Sequence, residues 1–390
     1  MSKTIKNSFK NALRFEKFIQ AHQRAKKNKS YKKDVIMYEL NLENNIINLM
    51  QKIKTNTYRV GKYYAFKVFE PKERIIHALP YEDRIVHQWY VEEFIKPHFI
   101  PRFINSTFAC IENRGVHKAV DYCQSMMRQA QKNNPNFWVL KCDIKKFFYN
   151  IDPLILMNIM RKNISDKLLL KFTYRLIFSG KQSIHEVGIP IGNYTSQYFA
   201  NIYMNELDQY VKHTLKIKYY CRYMDDFLFI LNSKKECISI YNTISNFLKE
   251  HLHLELNAKS RYYPAKMGIN FCGYRIFTTH RLLRNSSKTK IKNNVKKWNK
   301  SYEKNNLNIK HALLSINAWI GHSSHCNSYK FQQKILNNCN FLVNTKTNTI
   351  LEQNLIDDIN NYLKNNKKNS KWCIIIEFSC LTLNVRHFAT

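Results

Sequence analysis

The sequence predicts an α+β fold in which a few short strands are separated by long helices. Aromatic and β-branched runs at 63–69, 74–78, 138–144, 219–223 and 227–231 are bounded by turn residues, as strands are. Between them lie longer stretches with apolar residues at helical spacing. No succession of β-α-β units is present, which argues against a doubly wound parallel sheet.

Taken in order, residues 1–57 read as mostly helical, split by a basic run at 26–33. Phe9, Leu13, Phe15, Phe18 and Ile19 give the basic first thirty residues an apolar periodicity. That pattern fits a helix laid against the body or a nucleic acid more simply than a transit peptide. A strand over 63–69 turns at Glu70-Pro71-Lys72-Glu73 and returns over 74–78. A helix follows from the Pro80 region to Ile95, with Pro97 predicted to end it. Another helix covers 115–131, after Gly115.

The strand at 138–144 is almost continuously apolar and carries Asp143 at its end, next to Ile144. Helices fit 152–162 and 166–178, followed by the loop Gly188-Ile189-Pro190-Ile191-Gly192 and a long helix over 196–215. Strands 219–223 and 227–231 are joined through Met224-Asp225-Asp226. A helix over 234–250 precedes short strands in 262–277, broken at Gly268 and Gly273. Basic helices then occupy about 288–302, 309–320 and 326–339. In the tail, the apolar run 372–383 is interrupted by Glu377 and reads as a buried strand.

With 63 Lys and Arg against 28 Asp and Glu, the formal net charge is +35. This excess favours a polyanionic partner held through phosphate contacts. An AT-rich coding sequence, which inflates Asn and Lys, is the other source of such an excess. Ten dispersed cysteines without a CxxC pair exclude a disulfide scaffold and point to a reducing, intracellular setting. His322, His325 and Cys326 lack a fourth ligand at zinc-finger spacing. The sequence has neither a secretory apolar region nor 18 consecutive apolar residues, so no membrane association is expected.

Asp225 and Asp226 lie in a hairpin, where aspartates commonly cap turns. Their flanks, Tyr223-Met224 and Phe227-Leu228-Phe229, are core-like. Carboxylates there suffer desolvation and mutual repulsion that a cation would relieve. Together with Asp143 they suit two-metal phosphoryl transfer, with ions about 3.5–4 Å apart clamping the attacking and leaving oxygens.

Tyr223-Met224-Asp225-Asp226 resembles the catalytic box of reverse transcriptases. Residues 137–151, with Asp143 inside Lys-Cys-Asp-Ile-Lys-Lys-Phe-Phe, are similar to the first catalytic strand of their palm. The ordered likeness spans about 58–340 and implies a right-hand polymerase. Its parts would be a basic helical extension (1–57), fingers (58–135), a palm with an antiparallel sheet and interleaved fingers elements (136–280), a helical thumb (281–345) and a C-terminal extension (346–390). The resemblance implies Asp143 and Asp225 as main metal ligands. Asp226 would be a weaker or indirect one, and the Ile144 carbonyl a contributor. Two Mg²⁺ ions, replaceable by Mn²⁺, would be the cofactors. Template RNA, a cDNA or RNA primer strand and dNTPs would be the partners.

Phe148 sits where such enzymes carry an aromatic steric gate against ribose; a palm core aromatic is the alternative. Its bulk disfavours an RNA-dependent RNA polymerase, and the intact carboxylate set argues against a catalytically dead scaffold. Lys72 and Arg74 suit triphosphate binding, and resemblance of the segment at 69–76 to bacterial fingers favours Arg74. Arg84 would either join them or pair locally with Glu82 or Asp83. Lys259 resembles the palm lysine that protonates pyrophosphate, with a surface lysine as the alternative. Phe271-Cys272-Gly273-Tyr274 resembles the primer grip, and 316–322 resembles a thumb helix.

The stretch 188–197 discriminates among these enzymes. Where intron and retron enzymes carry Gln and Pro, this chain has Ile191 and Gln197. The pattern, with Gly192 between them, resembles reverse transcriptases of diversity-generating retroelements. That likeness implies copying of a template-repeat RNA with errors opposite adenines, aided by a small basic accessory protein, pentameric in the family. It also implies a bacterial or phage-encoded cytoplasmic enzyme. An anti-phage defence reverse transcriptase making another DNA product is the alternative. Ile191 would relax fidelity or simply fill a palm cavity.

Overall fold

The computed structural model describes residues 4–69 and 73–343. The expected strand at 372–383 and the C-terminal extension therefore lie outside the described residues. The chain divides into two compact units. One comprises residues up to Ala119 together with Phe137–Pro264, the other Val120–Asn136 together with residues from Ala265 onward.

Four helices open the first unit: α1 (Phe9–Ala12), α2 (Phe15–Lys26), α3 (Lys33–Glu39) and α4 (Leu42–Lys54). Phe18, Ala21, His22 and Ala25 form one buried stripe of α2. This helix packs along α5 (Tyr81–Tyr90), so the expected placement of the first helices against the body holds. Between them, β1 (Tyr64–Val68) and β2 (Arg74–Ala78) form an antiparallel ribbon. Its aromatic and β-branched residues suggest burial, yet Tyr64, Phe66, Val68 and Ile75 are exposed.

Pro97 does not end the helix that begins with α5. A π-helical turn at Val91–Ile95 leads into α6 (Lys96–Phe99). Pro97 therefore lies within a continuous helical run, directly after the π-helical turn. The helix α7 (Val116–Asn133) runs from the first unit into the second.

After β3 (Trp138–Asp143) come α8 (Phe147–Asn150), α9 (Pro153–Asn163) and α10 (Lys167–Ile177). Asp152 and Asp166 cap α9 and α10, each accepting two backbone N–H groups of the first turn. The long helix α11 (Tyr194–Gln209) begins two residues before its expected start and ends in a π-helical turn, Tyr210–Thr214. Strands β4 (Tyr220–Tyr223) and β5 (Asp226–Leu231) lead to α12 (Lys234–Leu252) and β6 (Arg261–Pro264). These strands form an antiparallel sheet in the order β4-β5-β3-β6, against which α12 packs. Phe227, Leu228 and Phe229 are wholly buried, so both faces of β5 are covered. That is why its sequence is continuously apolar instead of alternating.

The second unit contains the sheet β7 (Ile269–Phe271), β8 (Tyr274–Ile276) and β9 (Arg281–Leu283). Helices α13 (Asn285–Glu303), α14 (Ile309–Ser323), α15 (Tyr329–Asn337) and α16 (Asn340–Val343) follow. Among the described residues, no helix is long and apolar enough to cross a membrane.

Candidate active site

The β3–β5 ladder sets the site. Asp143, the last residue of β3, is the register partner of Asp226, the first residue of β5. Asp226 also pairs with Tyr223 of β4. It is therefore a ladder residue and not part of the hairpin tip, which consists of Met224 and Asp225. Met224 has φ of +58°. This is the first loop position, where two-residue hairpins ordinarily use glycine. Such a conformation costs a non-glycine residue about 1 kcal/mol or more. It places Asp225 beyond the end of the ladder, beside the carboxylate of Asp143.

Burial and the neighbouring Asp143 raise the Asp225 pKa, against opposing influences that include Arg74 and Lys141. Asp225 is half-buried. The two neighbouring carboxylates offer hard oxygen donors that match Mg²⁺ or Mn²⁺. Among the described residues there is no group of three or more His, Cys, Asp or Glu side chains able to hold one ion. The protein's own share of such a centre would be small, with substrate oxygens supplying the remainder.

Asp226 forms an ion pair with Lys141. Lys141 lies two residues before Asp143 and so on the same face of β3, diagonally across the ladder from Asp226. Asp143 is braced from the other side. Asn257 Nδ2 donates to Asp143 Oδ2 at 3.0 Å, and Asn257 N donates to the Asp143 carbonyl at 2.7 Å. Asp143 N donates to Ser260 Oγ at 3.2 Å. Ile144 forms an antiparallel bridge with Leu256. The hydrogen bonds there come from flanking residues, Asn257 to Asp143 and Lys145 to Glu255. The bridge therefore does not use the Ile144 carbonyl.

Arg74 is exposed at the start of β2, and its charge acts on Asp225. Lys72 lies outside the described residues. Arg84 is directed elsewhere: Nε donates to the Leu79 carbonyl at 2.9 Å, and Nη1 lies 3.6 Å from Asp34 Oδ2. Its partner is thus neither Glu82 nor Asp83. Lys259 is exposed, and its backbone N–H donates to Asn257 Oδ1 at 3.1 Å.

The loop 188–193 joins two parts of this region. Gly188 N and Ile189 N donate to the carbonyls of Ile151 and Phe148, both at 2.8 Å. Ile191 accepts from His77 N of β2 at 2.8 Å. Gly192 has φ of +118°, and an added Cβ would lie 3.0 Å from the His77 carbonyl. Phe147 is buried and Phe148 half-buried, their rings edge to face at 5.5 Å. Gln197 lies half-buried in the first turn of α11.

Gly273 and Tyr274 belong to the second unit. Gly273 has φ of +89°, and an added Cβ would lie 3.1 Å from His322 Cε1. Tyr274 is buried, and its hydroxyl donates to the His322 carbonyl at 2.7 Å. Close packing on α14 and the positive φ together account for Gly273.

Asn257, Ser260 and Lys141 escaped sequence reasoning as site residues. Asn257 stands two positions before Lys259, and Lys141 two before Asp143, so strand period alone marks Lys141 as a same-face neighbour.

A family model described as reverse transcriptase (RNA-dependent DNA polymerase) matches residues 67–276. The COX1/OXI3 intron 2 protein of Saccharomyces cerevisiae is 24% identical over 223 residues, covering 41% of this chain and 25% of that protein. Protein YkfC of Escherichia coli is 24% identical over 254 residues, covering 54% of this chain and 66% of YkfC. The group II intron-encoded protein LtrA of Lactococcus lactis subsp. cremoris is 26% identical over 185 residues, covering 45% of this chain and 30% of LtrA. The chain thus spans less than two thirds of the length of each of these relatives.

Proposed function

Because the chain belongs to the reverse transcriptase (RNA-dependent DNA polymerase) family, we propose that it copies an RNA template into DNA. The observation carrying this reading is that the β4–β5 turn brings Asp225 beside Asp143 at the end of β3. In this reading 58–135 form the fingers, 136–280 the palm and 281–345 the thumb. The family match and the antiparallel β4-β5-β3-β6 sheet support that assignment.

Asp143 and Asp225 would hold two divalent ions, with the Ile144 carbonyl as a further ligand. Asp226, neutralised by Lys141, acts indirectly by setting the charge beside them. Bound Mg²⁺ or Mn²⁺ supplies Lewis acidity toward the primer 3′-hydroxyl and the triphosphate. Asn257 and Ser260 fix the orientation of Asp143. Arg74 binds the triphosphate, where its planar fork suits phosphate oxygens. Phe148 fills the space a ribose 2′-hydroxyl needs. Lys259 delivers a proton to the leaving pyrophosphate. Gly273 and Tyr274 support the primer backbone. The exposed aromatic residues of β1 offer stacking faces for template bases.

The finer reading is an error-prone enzyme of a diversity-generating retroelement, working with a small basic accessory protein. Its support is Ile191 and Gln197 in the 188–197 stretch, together with the hydrogen bonds of the 188–193 loop to β2 and to Phe148. Primer extension on matched RNA and DNA templates, with dNTPs or NTPs, tests the general function. DNA synthesis on RNA is expected, whereas preference for NTPs would contradict it. Sequencing the cDNA tests the finer reading, which expects errors concentrated opposite template adenines.

A further inference from the structure

Behind the Met224-Asp225 turn lies a wholly buried ion pair. Arg222 of β4 and Asp208 of α11 are both inaccessible to solvent. Arg222 Nε donates to Asp208 Oδ1 at 2.8 Å, and Nη2 to Oδ2 at 2.6 Å. The carboxylate also accepts from Tyr220 Oη and Thr107 Oγ1, each at 2.7 Å. Asp208 is therefore fixed by four donors from three side chains. The remaining Arg222 nitrogen, Nη1, donates to Asn201 Oδ1 at 3.0 Å and to the Met224 carbonyl at 2.9 Å.

Stability alone does not account for this arrangement. A buried ion pair is often matched or surpassed by apolar residues of similar volume, because both charges must be desolvated. An apolar pair cannot hold the Met224 carbonyl. Met224 is the turn residue with positive φ, immediately before Asp225. The bidentate fork leaves the guanidinium little rotational freedom, so Nη1 becomes a fixed donor aimed at the turn. The backbone of Arg222 is also held: its N–H donates to the Ser106 carbonyl at 2.9 Å, and its carbonyl accepts from Phe108 N at 3.1 Å.

We propose that Arg222, locked by Asp208, is a positioning residue that sets the Met224-Asp225 turn so that Asp225 shares divalent cations with Asp143. This inference rests on the reading of Asp143 and Asp225 as metal ligands. Arg222 is wholly buried and so out of reach of a substrate. Its effect passes through the Met224 carbonyl.

The test measures Mn²⁺ binding to the full chain by electron paramagnetic resonance, alongside thermal melting. Arg222→Lys keeps a charge beside Asp208 but cannot maintain the fork and the Met224 contact together. The paired change Arg222→Met with Asp208→Leu removes both charges at once. Either variant, where it melts near wild type, is expected to bind Mn²⁺ at least tenfold more weakly. Its kcat should fall more than its dNTP KM rises, and saturating Mn²⁺ should recover part of the rate. Wild-type Mn²⁺ affinity in a folded variant would overturn the proposal and leave the pair a packing feature. If the paired variant does not fold, the Arg222→Lys comparison decides. Asp225→Ala separates the two readings: it should lose the same binding. Wild-type affinity in Asp225→Ala would remove the metal-ligand reading itself, and this proposal with it.

Discussion

Asp143 and Asp226 face each other across the β3–β5 ladder, while Asp225, one residue earlier in the chain, stands in the turn beyond it. The adjacent aspartates therefore have different surroundings. Asp226 is paired with Lys141, whereas Asp225 is half-buried and repelled by Asp143. A difference in function is expected to follow that difference in charge balance.

Stability should report this imbalance. The folded-state pKa of Asp225 is raised above its ordinary value of 3.8 by burial and by Asp143. A raised carboxyl pKa means that the folded state holds the proton more tightly than the unfolded state. Its stabilising contribution is fully present below the unfolded value and is lost as pH rises through the folded one. Without metal, Asp225→Asn should melt above wild type at pH 7, and the advantage should disappear at pH 3. Mg²⁺ should raise the wild-type Tm at pH 7 and leave Asp225→Asn nearly unchanged. Calorimetric scans at the two pH values check this, and a metal-free Asp225→Asn protein melting below wild type at pH 7 would count against it.

Asn257 and Lys259 should differ in the size of their effects. Asn257→Ala removes one hydrogen bond to the Asp143 carboxylate, which should slow insertion roughly tenfold. Lys259→Ala removes a proton donor and should slow it roughly a hundredfold. Single-turnover insertion measured on both variants separates these roles. An unchanged rate for Lys259→Ala would make it a surface lysine.

Phe148→Ala should open space at C2′ and admit rNTPs while retaining DNA synthesis. The ratio of kcat/KM for a dNTP and its matching rNTP measures the change. An active variant with an unchanged ratio would leave Phe148 as packing.

Ile191→Gln should lower misincorporation opposite template adenine more than opposite other bases. The Ile191 carbonyl already accepts from His77 N of β2, so the substitution alters the side chain within a tethered loop. Restoring a polar constraint of about 1.4 kcal/mol would change discrimination tenfold. Insertion kinetics on RNA templates differing at one base, with any required accessory protein present, test this. An unchanged error spectrum would assign low fidelity to another source.

Much of the element order was legible because strand runs such as 227–231 and helical stripes such as that of α2 have distinct periods. Pro97 misled because a π-helical turn carries the helix on past it, a change without a sequence signal of its own. The β1 strand was legible but its exposure was not, since aromatic content does not specify what covers it. Asp143, Asp225 and Asp226 stood out as charges among apolar neighbours. Asn257 and Arg222 did not, because their importance comes from contacts with Asp143 and the Met224 carbonyl that only tertiary structure supplies. Arg84 looked equally suited to phosphate until the fold directed it to Asp34 and the Leu79 carbonyl.

The most direct test of the central claim is single-turnover extension of a DNA primer on an RNA template by wild type, Asp143→Ala and Asp225→Ala. Template–primer affinity is measured in parallel. Each substitution should reduce synthesis to background while leaving that affinity within about threefold, since a metal clamp contributes to chemistry far more than to duplex binding. Measurable synthesis by purified Asp225→Ala at a rate approaching wild type would contradict the assignment of the β4–β5 turn as the catalytic centre.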